Sequence, residues 1–159
     1  MSITVICVGK IKEKYLKSAI DEYTKRLSRY CKLNIIELSD EKTPDNASEK
    51  EEILIKLKEG EAILKNIKDS MFVIALELRG DMLSSQEFSN YLRNLAVRGE
   101  SNIAFVIGGS LGLSKVVLER SNYKLCFSKM TFPHQLFRVM LLEQIYRGFR
   151  IISNEPYHK

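Results

Sequence analysis

Ile103-Ala104-Phe105-Val106-Ile107-Gly108-Gly109-Ser110-Leu111-Gly112 passes without a charged residue from an apolar run into a glycine-rich turn. A short run with no polar alternation is the pattern of a strand covered on both faces, which is how strands of a parallel sheet are placed. Met71 to Leu76 and Ser2 to Val8 read the same way, and Leu33 to Leu38 and Lys124 to Phe127 complete a set of five short strands. Between them lie segments of helical period. Lys14 to Cys31 carries Tyr15, Leu16, Ala19, Ile20, Tyr23 and Leu27 on one side, and Ser48 with Glu51 forms a capping box that starts a charged helix to about Ile67. Ser84 or Ser85 caps a third helix, Leu113 to Arg120 forms a fourth, and Pro133 to about Ile152 forms the last. Glu77 to Asp81 is expected to be a turn that ends the third strand, and Ser39 to Ser48 a mobile loop. Alternating strands and helices give an α/β fold, a parallel sheet flanked by helices. No repeat, low-complexity segment or linker divides the chain, so residues 1–159 are expected to form one domain.

In such a sheet ligands settle at the carboxyl ends of the strands, where backbone N–H groups and helix N-termini point outward. Two turns of this chain fit that description. The first is Gly108 to Gly112. Its glycines allow a ligand close to the backbone, but it matches neither GxxxxGK[ST] nor GxGxxG, and by itself it reads equally as a tight connection. The second is Ser128-Lys129-Met130-Thr131-Phe132-Pro133-His134, which opens the last helix. There Thr131 can cap the helix and Pro133 suits its first turn, leaving N–H groups near His134 for a ligand. Phe127, Met130 and Phe132 offer an apolar wall to a planar group such as adenine, with core packing as the alternative for Phe127.

Charge is unevenly placed. Residues 1–100 carry 17 Lys+Arg and 17 Asp+Glu, whereas residues 101–159 carry 8 against 3, so the net +5 belongs to the part that holds both turns. A basic field attracts polyanions, nucleic acid above all. The plainer alternative is that Lys115, Arg120 and Lys124 solvate a helix face. The end of the chain, Pro156-Tyr157-His158-Lys159, combines a stacking ring with positive charge, which suits an unpaired base beside a phosphate, although a chain end is also where disorder concentrates. Arg138, Arg147 and Arg150 lie on the adjacent helix, with Glu143 available as an ordinary acid partner.

Cys7, Cys31 and Cys126 show no CxxC spacing, so neither a disulfide framework nor a zinc site is implied, and reduced thiols agree with a cytoplasmic protein. The first apolar run has no basic segment before it, and no run reaches membrane-spanning length. The last helix is apolar over more than half its circumference, through Leu136, Phe137, Val139, Met140, Leu141, Leu142, Ile145, Tyr146 and Phe149. Such coverage predicts a homodimer held by this helix, or else a deep position inside one subunit.

Gly108-Gly109-Ser110-Leu111-Gly112, Phe127-Ser128-Lys129-Met130-Thr131-Phe132-Pro133-His134-Gln135 and the terminal Tyr157-His158-Lys159 resemble the RlmH family of ribosomal RNA large-subunit methyltransferases. The likeness covers essentially the full length, including Val8-Gly9-Lys10-Ile11-Lys12. Thr-Phe-Pro-His with a terminal Tyr-His-Lys is its most specific element. The resemblance implies a minimal SPOUT methyltransferase, a homodimer with a C-terminal trefoil knot (an α/β knot) that binds S-adenosylmethionine and needs no metal. It implies as target N3 of a pseudouridine in 23S ribosomal RNA of the assembled ribosome, pseudouridine 1915 in the family. Carried onto matching positions, cofactor contacts fall at Leu76, Gly108, Phe127, Ser128, Lys129, Met130, Thr131 and Phe132. Leu111 departs from the family in a variable slot, and Ser153-Asn154 stands before Glu155 where a glycine is often found. An in-line nitrogen nucleophile must be held near the methyl and lose its proton. His134 or His158 is able to take that proton or orient the base, and solvent is a third acceptor. Arg138, Arg147 and Lys159 would hold phosphates and offset developing charge, with Tyr157 and His158 on the nucleotide. Two rival readings stand beside this one: a SPOUT methyltransferase acting on transfer RNA, and a non-catalytic, ribosome-associated dimer that binds S-adenosylmethionine.

Overall fold

The computed structural model describes residues 1–157; His158 and Lys159 lie outside the described residues. Five strands, β1 (Ser2–Val8), β2 (Lys32–Leu38), β3 (Phe72–Met82), β4 (Asn102–Ile107) and β5 (Tyr123–Cys126), form one sheet in the order β2-β1-β4-β3-β5. Every neighbouring pair is parallel. The helices are α1 (Lys14–Leu27), α2 (Glu49–Leu64), α3 (Ser85–Val97), α4 (Lys115–Arg120) and α5 (His134–Ile152).

The strands alternate between two cores with the period of two that a pleated sheet imposes. Ile3, Val5 and Cys7 of β1 with Ile103, Phe105 and Ile107 of β4 face one core, which includes Leu27, Phe88, Leu92, Leu141, Ile145 and Phe149 from α1, α3 and α5. Ile6, Val8, Ala104 and Val106 face the other, with Ile63 of α2 and Val117 of α4. Both faces are thus covered, as the unbroken apolar runs require. The expected capping box is formed, Ser48 Oγ accepting from the Glu51 N–H, and of the two serines offered for α3 it is Ser84 that caps, its Oγ accepting from the Glu87 N–H in a second box.

Three local readings are corrected. α1 stops at Leu27, because Tyr30 and Cys31 turn their N–H groups back onto the Leu27 carbonyl and lead directly into β2. The turn expected at Glu77 to Asp81 is an irregularity inside β3: Leu76 and Asp81 both register with Leu125, and the strand resumes to Met82. Gly80 makes this possible, since a Cβ there would stand 2.6 Å from the Lys124 carbonyl carbon and oxygen in β5. Thr131 does not cap α5; Pro133 occupies the cap position and no side chain closes the helix end.

α5 lies between α1 and α3, which explains its wide apolar coverage. Leu141, Leu142, Ile145, Tyr146 and Phe149 are buried within the chain, so the deep position accounts for most of the helix. Ser89 Oγ of α3 donates to the Gly148 carbonyl at 3.0 Å, a close approach of the two helices. Leu136 remains 40% exposed. Among the described residues no helix is long and apolar enough to cross a membrane.

Candidate active site

The strand order brings the three candidate segments together. β4, β3 and β5 are consecutive in the sheet, so Gly108 at the end of β4, Leu76 in β3 and the segment after β5 all reach one edge. Beside the last of these lies a cleft of about 400 Å³. Leu125, Phe127, Ser128 and Phe132 form one wall, Ser84, Ser85 and Phe88 a second, and Met140, Glu143 and Gln144 of α5 a third. Its volume is in the range of a small-molecule site, and its lining mixes aromatic surface with a few convergent hydroxyl, amide and carboxylate groups.

The loop after β5 is shaped by its own bonds. Cys126 Sγ donates to the Ser128 carbonyl at 3.2 Å, and the Met130 N–H donates to Ser128 Oγ at 3.0 Å. Phe127 packs on Phe137 with ring centroids 4.8 Å apart. Of the eight positions assigned to the cofactor, Phe127, Ser128 and Phe132 line the cleft. Lys129, Met130 and Thr131 are exposed on the same loop, and Leu76 is half-buried in register with Leu125. Gly108 lies in a turn closed by the Gly112 N–H on the Gly109 carbonyl; a Cβ on Gly108 would stand 2.7 Å from the Gly112 carbonyl carbon. The turn therefore needs glycine for its own closure, whatever ligand approaches it.

His134 and Arg138 share a different face of α5, turned away from the cleft. Arg138 is 1% exposed. Its Nη1 donates to Glu37 at 2.8 Å, and its Nη2 to the Val8 and Gly9 carbonyls at 3.0 and 2.7 Å. This burial corrects the expectation that Arg138 meets a phosphate or a developing charge: its terminal nitrogens fasten the ends of β1 and β2 to α5. A Cβ built on Gly9 would be 3.8 Å from His134 Nε2 and 3.7 Å from Arg138 Nη2, so the histidine lies over the same strand end. Burial, then the Arg138 charge, pushes the His134 imidazole below its ordinary range, while Asp40 opposes the shift. A neutral imidazole is the form that accepts a proton.

The tail reaches the cleft through a polar chain that motif reading does not reveal. Ser85 Oγ donates to Gln144 at 2.7 Å, and Gln144 Nε2 donates to Glu143 at 2.8 Å. Glu143 Oε1 accepts from Arg147 Nη2 at 2.7 Å and from the Tyr157 hydroxyl at 3.3 Å. The Arg147 guanidinium also lies 4.7 Å from the Tyr157 ring centre. Arg147 and Tyr157 are thus brought together, joined to a cleft residue; His158 and Lys159, the other tail positions expected at the site, lie outside the described residues. Glu143 is the acid partner of Arg147 that the sequence offered, whereas Gln144 had no motif to mark it, since it meets Ser85 only through the packing of α3 on α5. Arg120 donates to the Lys68 and Met71 carbonyls at 3.2 Å, so it is half-buried and tied to the start of β3 rather than solvating a helix face.

Residues 1–158 match the family described as "Predicted SPOUT methyltransferase". Over 159 residues, the whole of both chains, this sequence is 76% identical to the ribosomal RNA large subunit methyltransferase H of Clostridium tetani (strain Massachusetts / E88). It is 74% identical over the same full lengths to the protein so named in Clostridium beijerinckii (strain ATCC 51743 / NCIMB 8052). A solved structure described as a probable methylase family protein from Haemophilus influenzae Rd KW20 superposes with a TM-score of 0.52 at 17% identity, over 99% of this chain and 70% of that one. At such identity the likeness speaks to the fold.

Proposed function

The chain belongs to the RlmH family of SPOUT methyltransferases, and from that premise we propose that it methylates N3 of a pseudouridine in the large-subunit ribosomal RNA of the assembled ribosome, using S-adenosylmethionine. The observation that carries the reading is the full-length identity to relatives named for ribosomal RNA methylation, with no part of either chain left over. In this reading residues 1–159 act in the cytoplasm as one domain with a C-terminal trefoil knot, paired as a homodimer through the exposed part of α5.

The cleft fits the cofactor in size and chemistry: aromatic surface at Phe127 and Phe132 for a purine, with Ser84, Ser85, Ser128 and Gln144 as polar partners. The Gly108 turn, Leu76 and Lys129 to Thr131 complete that set. When bound, S-adenosylmethionine supplies a methyl group activated by a sulfonium. The protein's part is to hold N3 in line and to exclude geometries that do not react. Tyr157 and Arg147 hold the nucleotide, together with His158 and Lys159. As the N3–carbon bond forms the methyl–sulfur bond would break, and the N3 proton would pass to solvent or to a histidine, His158 of the tail or, where the nucleotide reaches over the end of β1, the neutral His134. Arg138 acts as a positioning residue, fixing the helix turn that carries His134.

Mass mapping of ribosomal RNA from a strain lacking the protein, before and after addition of the purified chain and S-adenosylmethionine, tests the reading. One methyl group gained at N3 of one pseudouridine is expected. Methylation of transfer RNA instead, or binding without transfer, would overturn it. Removing His158 and Lys159 alone, which leaves the Tyr157 contacts in place, should lower transfer at least tenfold with cofactor affinity unchanged by calorimetry. Transfer at the full rate would remove the tail from the site.

A further inference from the structure

The even charge of residues 1–100 hides a local excess. Lys10, Lys12, Lys14 and Lys17 fall in one short segment with Glu13 as its only acid. All four lysines are exposed, and among the described residues none of their ammonium groups forms an ion pair. Glu13 is turned back onto the chain, its Oε2 accepting the Lys12 N–H at 3.3 Å. Among them stands Tyr15, 72% exposed, while every other aromatic ring among the described residues is at least half-buried.

This segment is held rigidly. Ile11 is 5% exposed, and its N–H donates at 2.8 Å to Glu37 Oε2, the oxygen that also receives Arg138 Nη1. The lysines therefore project from a fixed loop and helix start rather than from a loose strand of chain. They also lie at the end of α1 where positive charge is unfavourable: no acid occupies the first turn and the Glu13 side chain makes no cap bond. Among the described residues no carboxylate pairs with these ammonium groups. A polyanion would. Gly9, next to Lys10, directly follows β1, so the basic segment leaves the parallel sheet at the same carboxyl edge as the Gly108 turn and the loop after β5.

We propose that the Lys10 to Lys17 face, with Tyr15 at its centre, is a docking surface for RNA that grips phosphates and stacks one unpaired base away from the reacting nucleotide. Cations around an exposed ring match a single strand, which presents phosphate charge and a base face together. The proposal rests on the ribosomal RNA reading above and names a second contact for it.

The test compares the wild-type chain with the triple variant Lys12→Gln/Lys14→Gln/Lys17→Gln, and with Tyr15→Ala and Tyr15→Trp. None of these positions belongs to the cleft or the tail. For the triple variant, KM for ribosomal particles should rise at least tenfold, with kcat at saturation and cofactor affinity by calorimetry unchanged. Its log-affinity against log-salt slope should become shallower by about 2 to 3, as expected for three lost phosphate contacts. Tyr15→Ala should weaken particle binding about tenfold and Tyr15→Trp should retain it. Unchanged KM and salt slope in the triple variant would overturn the proposal, as would a changed sedimentation coefficient, which would assign the face to contact between copies of the chain. Direct filter binding to particles separates this from the catalytic reading: wild-type protein that binds through these lysines but transfers no methyl group would sink the latter alone.

Discussion

Asn154 adopts φ +53°, the conformation in which a glycine is the common choice, and so performs the bend for which the sequence lacks that glycine. The Glu155 N–H then reaches the Arg150 carbonyl at 2.9 Å, and the Glu155 carboxylate meets Tyr30 at 2.5 Å and Arg150 at 2.9 Å. That anchoring was not legible in sequence, because Tyr30 is brought there by the packing of α1 on α5. The glycine turn was read as a candidate site element, and its glycine has a reason of its own visible only in coordinates. Gly108→Ala should cost about 1–3 kcal/mol by urea unfolding without any ligand, through overpacking against Gly112. Unchanged stability would mean the turn can relax. Glu59 offers a different case. Buried in α2 at 6% exposure beside Gly109, it accepts the Glu41 N–H at 3.1 Å with Oε1 and has no partner for Oε2. Burial pushes its pKa up, with the Glu41 N–H opposing. A carboxyl raised in the folded state stabilises fully below its ordinary value, and that stability is lost as pH rises through the folded one. Glu59→Gln, which keeps the acceptor and removes the charge, should therefore be more stable than wild type near about pH 7, with the advantage vanishing near about pH 4. A pH-independent difference in denaturation would show that the carboxyl does not titrate with folding.

Elements with strong local signals were read correctly, and those shaped by partners were not. Ser48 and Ser84 announce α2 and α3 because a cap is a contact between near neighbours, complete within four residues. The unbroken runs of β1, β3 and β4 announce burial on both faces. The irregularity in β3 escaped, because Gly80 reads locally as a turn and only the neighbouring β5 strand shows that the chain resumes its register. α5 escaped in part for the same reason, since flanking by α1 and α3 covers apolar positions that one sheet face could not. Ser84 belongs to both an element and the cleft, so its cap has a testable double role. Ser84→Ala should cost about 1 kcal/mol at neutral pH. The Ser84 bonds, backbone first, hold the Glu87 carboxyl below its ordinary range. Ser84→Ala leaves the Ser84 N–H in place to donate to Glu87, so its cost should depend only weakly on pH, whereas Glu87→Gln, which removes the carboxylate, should cost stability above the ordinary carboxyl pKa and less as pH falls through the lowered one. A Glu87→Gln cost equal at both ends of the pH range, measured by urea unfolding, would show that the Ser84 N–H bond to Glu87 adds nothing.

At the scale of the whole molecule, the candidate site exists because of strand order. Leu76, Gly108 and Phe127 are far apart in sequence; the reading of strand ends as ligand sites and the resemblance to a known family both grouped them, but nothing in their spacing says that β4, β3 and β5 are consecutive, which the sheet shows. Subunit association is the remaining question at this scale, and burial narrows it. Leu142 is 1% exposed, so a charge there would unfold the chain and report nothing about a partner. Leu136, 40% exposed, and the half-buried Val139 are among the positions on α5 from which an apolar contact can still be made. Met130, 74% exposed on the adjoining loop, extends the same candidate surface. A dimer built there would join the loop proposed to hold the cofactor to the interface, so losing the partner should also weaken cofactor binding in that reading. Leu136→Glu with Val139→Glu should therefore weaken association by about a hundredfold or more, since like charges left unpaired at an interface cost several kcal/mol. Far-ultraviolet dichroism should remain that of wild type, because neither side chain belongs to the fully buried core. Sedimentation and cofactor titration of the same preparation decide the matter: a folded monomer with impaired cofactor binding is expected, whereas a fully active monomer, or an unchanged dimer, would exclude this face of α5 as the interface.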